Sequence, residues 1–482
     1  MQNMYDSYGL FIDGGWRPAY DAVTLEVIDP ATEEVVGCIP RATAKDVDDA
    51  LQAAARGFEV WKRVPAFDRS QLLRRFAKVL REHLEETARL MSRETGKPLA
   101  EARAELGAAE EQFEWYAEEA KRIYGHTLDG RDAATRLQVR YDPIGPVAAL
   151  APWNFPALLP ARKIAAALAA GCSVVMKPSE EAPGSTFAMA EAAKAAGLPN
   201  GALNVLVGDP AQISGKLLDS SIIRKVSFTG SVRVGCEIMK RAAQGLKKVS
   251  LEMGGHAPVL IFEDADPEQA AQLCLRTKFR NAGQVCISPS RFYVHISKYD
   301  AFSRAFAEGA KKIVLGPGLD PGVEMGPMAN ARGLDRAEQL VADALCRGAE
   351  LLAGGRQPEG IKRGFFFEPT VLGNVPDEAK IMQEEPFVPI APISAFETFD
   401  EVIRRANSLP YGLAGYVFTR SLGTATRASE ALEVGMVGVN DLLLATAEMP
   451  FGGIKSSGMG REGGRLGILD YLDAKYTKFR LV

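Results

Sequence analysis

After Pro143 short apolar runs alternate, one for one, with helical stretches, and this alternation restricts the chain more than any other feature. The runs fall at 147–150, 173–176, 203–207, 225–228 and 249–251, and the stretches between them reach Ala170, Ala196, Leu218 and Ala242. Strands that alternate with helices run parallel, because each helix carries the chain back across a face of the sheet. The expected product is a doubly wound sheet of the nucleotide-binding type. A second series follows Gly254 and Gly255, with strands near 259–262, 292–295 and 414–418. Two α/β domains fit the length, since 482 residues make two or three domains at roughly 100–200 residues each.

The first third reads as helical. Residues 44–60 carry Val47, Leu51, Ala54, Ala55 and Phe58 at helical spacing, with Thr43 and Asp46 placed as a capping box. A second helix is expected over 69–94, with Leu72, Leu73, Phe76, Val79, Leu80 and Leu84 on one face, and a third over 98–123. Residues 136–142 alternate polar and apolar, which predicts a half-exposed strand. The tail 471–482 alternates likewise and needs a partner; the 136–142 strand of a neighbouring subunit is the candidate, which makes a homo-oligomer the expectation.

Composition closes off other classes. At 47% apolar and 24% charged the chain has the balance of a globular protein, which excludes disorder, collagen and coiled coil. A net charge of -4 with no basic tract excludes a nucleic-acid partner. The longest apolar stretch, 164–170, is far short of the ~20 residues that span a bilayer, so no membrane association is expected. Residues 1–6 have neither the basic nor the apolar region of a leader peptide. Six cysteines without a CxxC pair and only four histidines offer no disulfide scaffold and no metal site. A cytoplasmic protein is the resulting expectation.

Several motifs sit where strands end. Gly458-Met459-Gly460-Arg461-Glu462-Gly463 matches GxGxxG, but no βαβ unit fits in the remaining chain, so it reads as a glycine-rich turn. Gly230 and Ser231 follow the 225–228 run and open a helix, either as a phosphate site at a helix N-terminus or as an ordinary turn. Lys177 and Glu180 end another run, either holding ribose hydroxyls or forming a solvated turn. Asn154, in Pro152-Trp153-Asn154-Phe155-Pro156, is either a rigidly held amide donor or part of a structural corner. Cys286 is either a small buried apolar residue or a nucleophile, and Glu252 either a paired charge or a general base with a raised pKa.

Together these segments resemble the aldehyde dehydrogenase superfamily, in the same order along nearly the whole chain. The resemblance rests on the Pro152–Pro156 motif, Lys177-Pro178-Ser179-Glu180, Phe228-Thr229-Gly230-Ser231, Leu251-Glu252-Met253-Gly254-Gly255, Gly283-Gln284-Val285-Cys286, Glu384-Glu385-Pro386-Phe387 and Pro450-Phe451-Gly452-Gly453. Phe279-Arg280-Asn281-Ala282-Gly283-Gln284 and the 451–463 segment look like the succinate-semialdehyde dehydrogenase group, while Val285-Cys286-Ile287-Ser288-Pro289 is similar to α-ketoglutarate-semialdehyde dehydrogenases.

The resemblance implies a dinucleotide-binding domain from 1–122 and 144–253, a catalytic domain over 254–445, oligomerisation strands at 123–143 and 470–482, and a returning loop at 446–469. It implies Cys286 as nucleophile, Asn154 and the Cys286 backbone N–H as oxyanion donors, and Glu252 as the base that activates water. The implied cofactor is NAD, with NADP possible, held by Trp153, Lys177, Ser179, Glu180, Gly230, Ser231, Glu385 and Phe387. Lys177 and Glu180 would face the adenine ribose, Gly230 and Ser231 the pyrophosphate, and Glu385 the nicotinamide ribose. Arg162, Arg280 and Thr446 would grip the distal anion of a small aldehyde: succinate semialdehyde first, then α-ketoglutarate or glutarate semialdehyde, or a sulfonated aldehyde such as sulfolactaldehyde. A homodimer or homotetramer is implied. Retained Cys286, Glu252 and Asn154 argue against a non-catalytic binding relative, and Glu252 argues against a relative that passes its thioester to CoA. Ser288 stands where some relatives carry a second cysteine, and Val388 where many have glycine, which is expected to shift the nicotinamide loop.

Overall fold

The computed structural model describes residues 5–481. The leader reading of residues 1–4 and the last residue of the tail strand, Val482, lie outside the described residues.

The short apolar runs become the inner strands of two sheets. Val147–Leu150, Val174–Lys177, Leu203–Val205, Lys225–Gly230 and Lys248–Met253 lie parallel, in the order 248, 225, 147, 174, 203 by first residue. The chain leaves Val147–Leu150 in one direction and later returns to its other side. Its switch point is therefore at the carboxyl ends of Val147–Leu150 and Lys225–Gly230, where open α/β sheets bind ligands. Gly458–Met459 caps one edge antiparallel to Lys248–Met253, and Leu10–Ile12 with Gly15–Arg17 completes the other.

The second sheet has seven strands, in the order 350, 370, 390, 289, 257, 414, 436 by first residue, all parallel except the Glu350–Ala353 edge. Met253 ends one sheet and Ala257 opens the other, so only three residues join them. Carboxyl ends of the first sheet's strands thereby meet amino ends of the second's.

The helix Leu158–Ala170, apolar except for Arg162 and Lys163, is buried all round and stops at Gly171 in the left-handed region. The helix Ala44–Trp61 begins with the expected capping box: Asp46 N–H donates to Thr43 Oγ1 at 3.3 Å, and Thr43 N–H to Asp46 Oδ2 at 2.7 Å.

Three expectations are corrected. The first third is not all helix: it opens with the strands Leu10–Ile12, Gly15–Arg17, Thr24–Asp29 and Glu34–Pro40. The single helix over 69–94 is two, Ala66–Glu82 and Leu84–Thr95, because His83 adopts φ -104 and ψ 13 between them. The apolar period runs on across that residue, so spacing alone does not reveal the break. Finally, the tail strand Leu472–Arg480 pairs with Thr135–Pro143 of the same chain, antiparallel from Leu472 opposite Pro143 to Arg480 opposite Thr135. His126–Asp129 adds a third strand to this small sheet. Among the described residues, no helix is long and apolar enough to cross a membrane.

Candidate active site

Where the two sheets meet lies a cavity of about 290 Å³, lined by Trp153, Asn154, Glu252, Cys286, Glu385 and Phe387, together with Thr229, Gly230 and Ser231. Cys286 stands on a loop under backbone strain. Asn281, Ala282 and Gly283 precede it with φ of 48, 52 and 73, three left-handed residues in succession. Gly283 has no alternative, because a Cβ there would lie 2.2 Å from the Val388 carbonyl oxygen. Val388 itself is fully buried, and its carbonyl packs the Glu385 loop onto the Cys286 loop.

Hydrogen bonds hold the strained loop. Asn281 Nδ2 donates to the carbonyls of Asn154 at 3.0 Å and Gln284 at 3.1 Å, and its N–H to Glu101 at 2.9 Å. Beyond the cysteine, the Tyr416 hydroxyl donates to the Ile287 carbonyl at 2.7 Å. Burial pushes the Cys286 thiol up to about 12, with the Glu385 and Glu252 carboxylates adding to it and Arg162 opposing. In this state the group is a thiol, so a base must take its proton before it attacks.

The Asn154 amide is fixed from behind. Its Nδ2 donates to the Gln284 carbonyl at 3.1 Å, and its second N–H stays available to the cavity. The Asn154 carbonyl accepts from Lys97 Nζ at 2.9 Å. Lys97 is in turn paired with the buried Glu105, whose Oε1 accepts the N–H groups of Ala157 and Leu158 at the start of the helix Leu158–Ala170.

Glu252 is buried at the end of its strand, and neither of its carboxylate oxygens meets a hydrogen-bond partner among the described residues. Burial and the neighbouring Glu462 hold its pKa well above the carboxylate range, against the pull of Lys163, Arg162 and Arg461. Lys163 Nζ pairs with Glu462 Oε1 and donates to Thr229 Oγ1 at 2.7 Å.

The three anion-gripping candidates are placed differently. Arg162 is buried, its guanidinium carbon 4.2 Å from the centre of the Phe451 ring, which is part of the cavity wall. Its Nε and Nη2 meet no hydrogen-bond partner among the described residues. Arg280 stacks 5.0 Å from the Phe155 ring and lines a separate cleft with Glu101 and Arg276. Thr446 is half-buried and is not part of the cavity wall.

On the cofactor side, Lys177, Ser179 and Glu180 line an adjoining cleft of about 220 Å³, which shares Pro152, Thr229, Gly230 and Ser231 with the cavity. Lys177 Nζ lies 2.6 Å from Glu180 Oε2. Ser231 caps the thirteen-residue helix Val232–Gln244, whose free N–H groups face the junction. The two clefts share Pro152, Thr229, Gly230 and Ser231 and together offer an extended ligand a path from Lys177 and Glu180 to Cys286, and the chemistry of their lining fits a nicotinamide dinucleotide. Trp153 and Phe387 meet edge to face at 5.8 Å near the inner end. Burial lifts Glu385 to about 7, partly offset by the Gly255 N–H at 3.2 Å.

Sequence reasoning missed Lys163, Glu462, Thr229, Lys97 and Glu105. One signal was available: Arg162 and Lys163 are adjacent cations in an otherwise apolar helix. Burying a cation calls for a partner: Lys163 has Glu462 and Thr229 at the site, while Arg162 stacks on Phe451 of the cavity wall.

Comparisons with known proteins agree with this architecture. Residues 16–477 match the model of the aldehyde dehydrogenase family. The chain is 43% identical over 465 residues to the NADP(+) succinate-semialdehyde dehydrogenase of Escherichia coli K12, covering 96% of each. It is 45% identical over 467 residues to the 3-sulfolactaldehyde dehydrogenase of Pseudomonas putida, covering 97% of this chain and 96% of that one. The crystal structure of a succinate-semialdehyde dehydrogenase from Burkholderia pseudomallei superposes with a TM-score of 0.97 at 42% identity over 100% of both chains. Likeness of this extent spans both sheets and the cavity where they meet, and the chain accordingly belongs to the aldehyde dehydrogenase family, whose members oxidise aldehydes with NAD or NADP.

Proposed function

We propose that the protein oxidises a short aldehyde bearing a distal anionic group, succinate semialdehyde foremost, to the corresponding acid. The observation that carries this reading is the buried Arg162 guanidinium stacked on Phe451 of the cavity wall, with two nitrogens lacking hydrogen-bond partners among the described residues. A buried cation with free donors is costly unless an anion completes it, and a carboxylate or sulfonate does so. The named activities of the relatives, on succinate semialdehyde and 3-sulfolactaldehyde, share that distal anion.

In this reading a base takes the Cys286 thiol proton, Sγ bonds to the aldehyde carbon, and the carbonyl electron pair moves onto the oxygen, which takes negative charge. Asn154 Nδ2 and the Cys286 backbone N–H donate to it, each worth about 3–4 kcal/mol in such a site. Lys177, Glu180, Gly230, Ser231 and Glu385 would hold a dinucleotide, which would accept the hydride that leaves the substrate carbon as its C–H bond breaks and the C–O double bond re-forms. Cys286 is left as a thioester. Glu252 then takes a proton from water, the hydroxide oxygen adds to the thioester carbon, and the Cys286 sulfur leaves.

Arg162→Ala tests the substrate class. A charge-assisted hydrogen bond contributes roughly 1.5–3 kcal/mol, so kcat/KM for succinate semialdehyde falls about ten- to two-hundredfold. Butanal has no distal charge to lose and changes little. Arg280→Ala is run beside it, to establish whether the second arginine joins the clamp from its position over Phe155. Equal losses for both aldehydes in Arg162→Ala reject the anionic substrate class.

Glu180 favours NAD over NADP, because a carboxylate at the adenine ribose accepts a hydroxyl and repels a phosphate. Kinetics with each cofactor are expected to give NAD the higher kcat/KM; a tenfold advantage for NADP removes Glu180 from this role.

The chain also forms a homo-oligomer, a dimer or tetramer. Support comes from the small sheet containing Leu472–Arg480, whose surface exposes Leu128 at 52%, Tyr476 at 60% and Phe479 at 46%. Sedimentation equilibrium is expected to give a multiple of the chain mass, and a monomer at micromolar concentration overturns it.

A further inference from the structure

The helix Leu99–Glu119 carries Glu101 and Glu105 in its first two turns. Residues four apart on a helix share a face, so the two carboxylates look the same way. They take hold of different loops. Glu105 Oε1 accepts the N–H groups of Ala157 and Leu158, just after the oxyanion donor Asn154, at 2.8 and 3.2 Å. Glu101 Oε2 accepts the N–H of Asn281, on the turn that leads to Cys286, at 2.9 Å. Lys97, two residues before the helix, pairs with Glu105 and donates to the Asn154 carbonyl at 2.9 Å. The start of the helix is fixed in turn, because the Leu99 N–H donates to the Gly318 carbonyl at 2.8 Å.

The Asn281 turn needs such support. Asn281 and Ala282 both lie in the left-handed region, and residues other than glycine stay there only where their surroundings hold them. The Asn281 carbonyl accepts from the Gln284 N–H at 3.0 Å and from Gln284 Nε2 at 2.9 Å. Its Nδ2 donates to the carbonyls of Asn154 and Gln284, and its N–H to Glu101. Of these partners Glu101 alone carries a charge, and a hydrogen bond to an ionised acceptor is about twice as strong as a neutral one.

We propose that Glu101 is a positioning residue for the nucleophile: with Glu105 and Lys97 it fixes the Cys286 turn against the Asn154 loop, so that sulfur and amide meet the same carbonyl group. The proposal rests on Cys286 being the nucleophile. Glu101 is not part of the cavity wall and acts through Asn281. Bond formation needs the reacting atoms held about 3–3.5 Å apart, so a loosened turn slows the attack and leaves dinucleotide binding alone.

The charge on Glu101 makes this hold depend on pH. Burial lifts Glu101 to about 7, with Lys97, Arg280 and the Asn281 N–H opposing and Glu105 adding to it. Arg276, Lys312 and Glu324 line the same cleft as Glu101 and complete the charged groups around it. The carboxylate, the stronger acceptor, prevails only above that value. The turn is therefore held more firmly at about pH 8 than at about pH 6.

The test compares the full-length enzyme with Glu101→Gln and Glu101→Ala. Enzyme is kept in excess over succinate semialdehyde at saturating NAD, so that NADH formation reports a single turnover. Glu101→Ala leaves the Asn281 N–H without its acceptor, and the single-turnover rate is expected to fall about a hundredfold, the cost of a misplacement of about 1 Å. NADH affinity, read by fluorescence titration, is expected to stay unchanged. Glutamine keeps a neutral acceptor of the same length. The wild type is expected to exceed Glu101→Gln about fivefold at about pH 8, the difference between a charge-assisted and a neutral hydrogen bond, and to approach it at about pH 6. This ratio cancels the titrations of Cys286 and Glu252, which both proteins share, and a merely structural role leaves it flat. A wild-type rate in Glu101→Ala overturns the proposal. So does a ratio of wild type to Glu101→Gln that is the same at both pH values, which decides the matter even if Glu101→Ala does not fold. Full turnover in Cys286→Ala would instead overturn the nucleophile itself, so the two failures are distinguishable.

Discussion

Cys286→Ala is expected to lower aldehyde oxidation by at least about a thousandfold while leaving dinucleotide binding intact. The thiol sulfur is the only atom on the chain that bonds to the substrate carbon in the proposed reaction, and alanine offers nothing in its place. The surrounding loop does not depend on it. Asn281, Ala282 and Gly283 are held by Asn154, Gln284, Glu101 and the packing of Val388, and none of these contacts uses the sulfur. The variant therefore keeps its fold and its cofactor cleft, which is checked by fluorescence titration with NADH. Retained turnover above about a hundredth of wild type would remove Cys286 from the nucleophile's role. The thiol's elevation to about 12 sharpens the point. Its reactivity has to be switched on by a base and by the charge arriving with substrate and cofactor, so it is protected from adventitious oxidation in the resting state.

How much of this was legible in sequence depends on where each residue's partners lie. The strands Val147–Leu150 and Ala414–Phe418 fall where their apolar runs predict, because a strand buried on both faces writes its whole length in apolar residues. The opening strands Leu10–Ile12 and Gly15–Arg17 are three residues each at a sheet edge, too short for any period to register. Alternation in the tail identified a strand but not its partner. Pairing with Thr135–Pro143 of the same chain is set by the returning path of residues 446–469, which carries no periodic signal. The site divides in the same way. Cys286, Glu252 and Asn154 stand in short motifs next to strand ends, where ligand sites gather. Lys163 and Glu462 are 299 residues apart, and only their burial together reveals them. Arg280 shows the limit of motif transfer: its place in the chain leads to the nucleophile, yet its guanidinium rests over Phe155 beside another cleft.

Glu252→Gln is expected to separate the two halves of the reaction. Glutamine keeps the size of the side chain but cannot take a proton from water, so the hydride leaves and the thioester stays. The trace should show a burst of about one NADH per active site, followed by turnover slowed by about a hundred- to ten-thousandfold, the usual worth of a general base. The direction of the Glu252 shift adds a second, independent reading. Burial and Glu462 hold its pKa well above the ordinary carboxylate value, so protonated Glu252, which cannot act as base, persists to higher pH than an ordinary carboxylic acid would. In the wild type the hydrolytic step should therefore quicken as pH rises through that elevated pKa, whereas an ordinary carboxylate would already be ionised and leave the limb flat. In Glu252→Gln this rising limb should vanish from the post-burst rate. Loss of the burst itself would move Glu252 to an earlier step, as the base that takes the Cys286 proton. A burst with a post-burst rate that still climbs with pH would assign hydrolysis to another group, and Glu462, whose Oε2 also lies buried without a partner among the described residues, would be the next residue to replace.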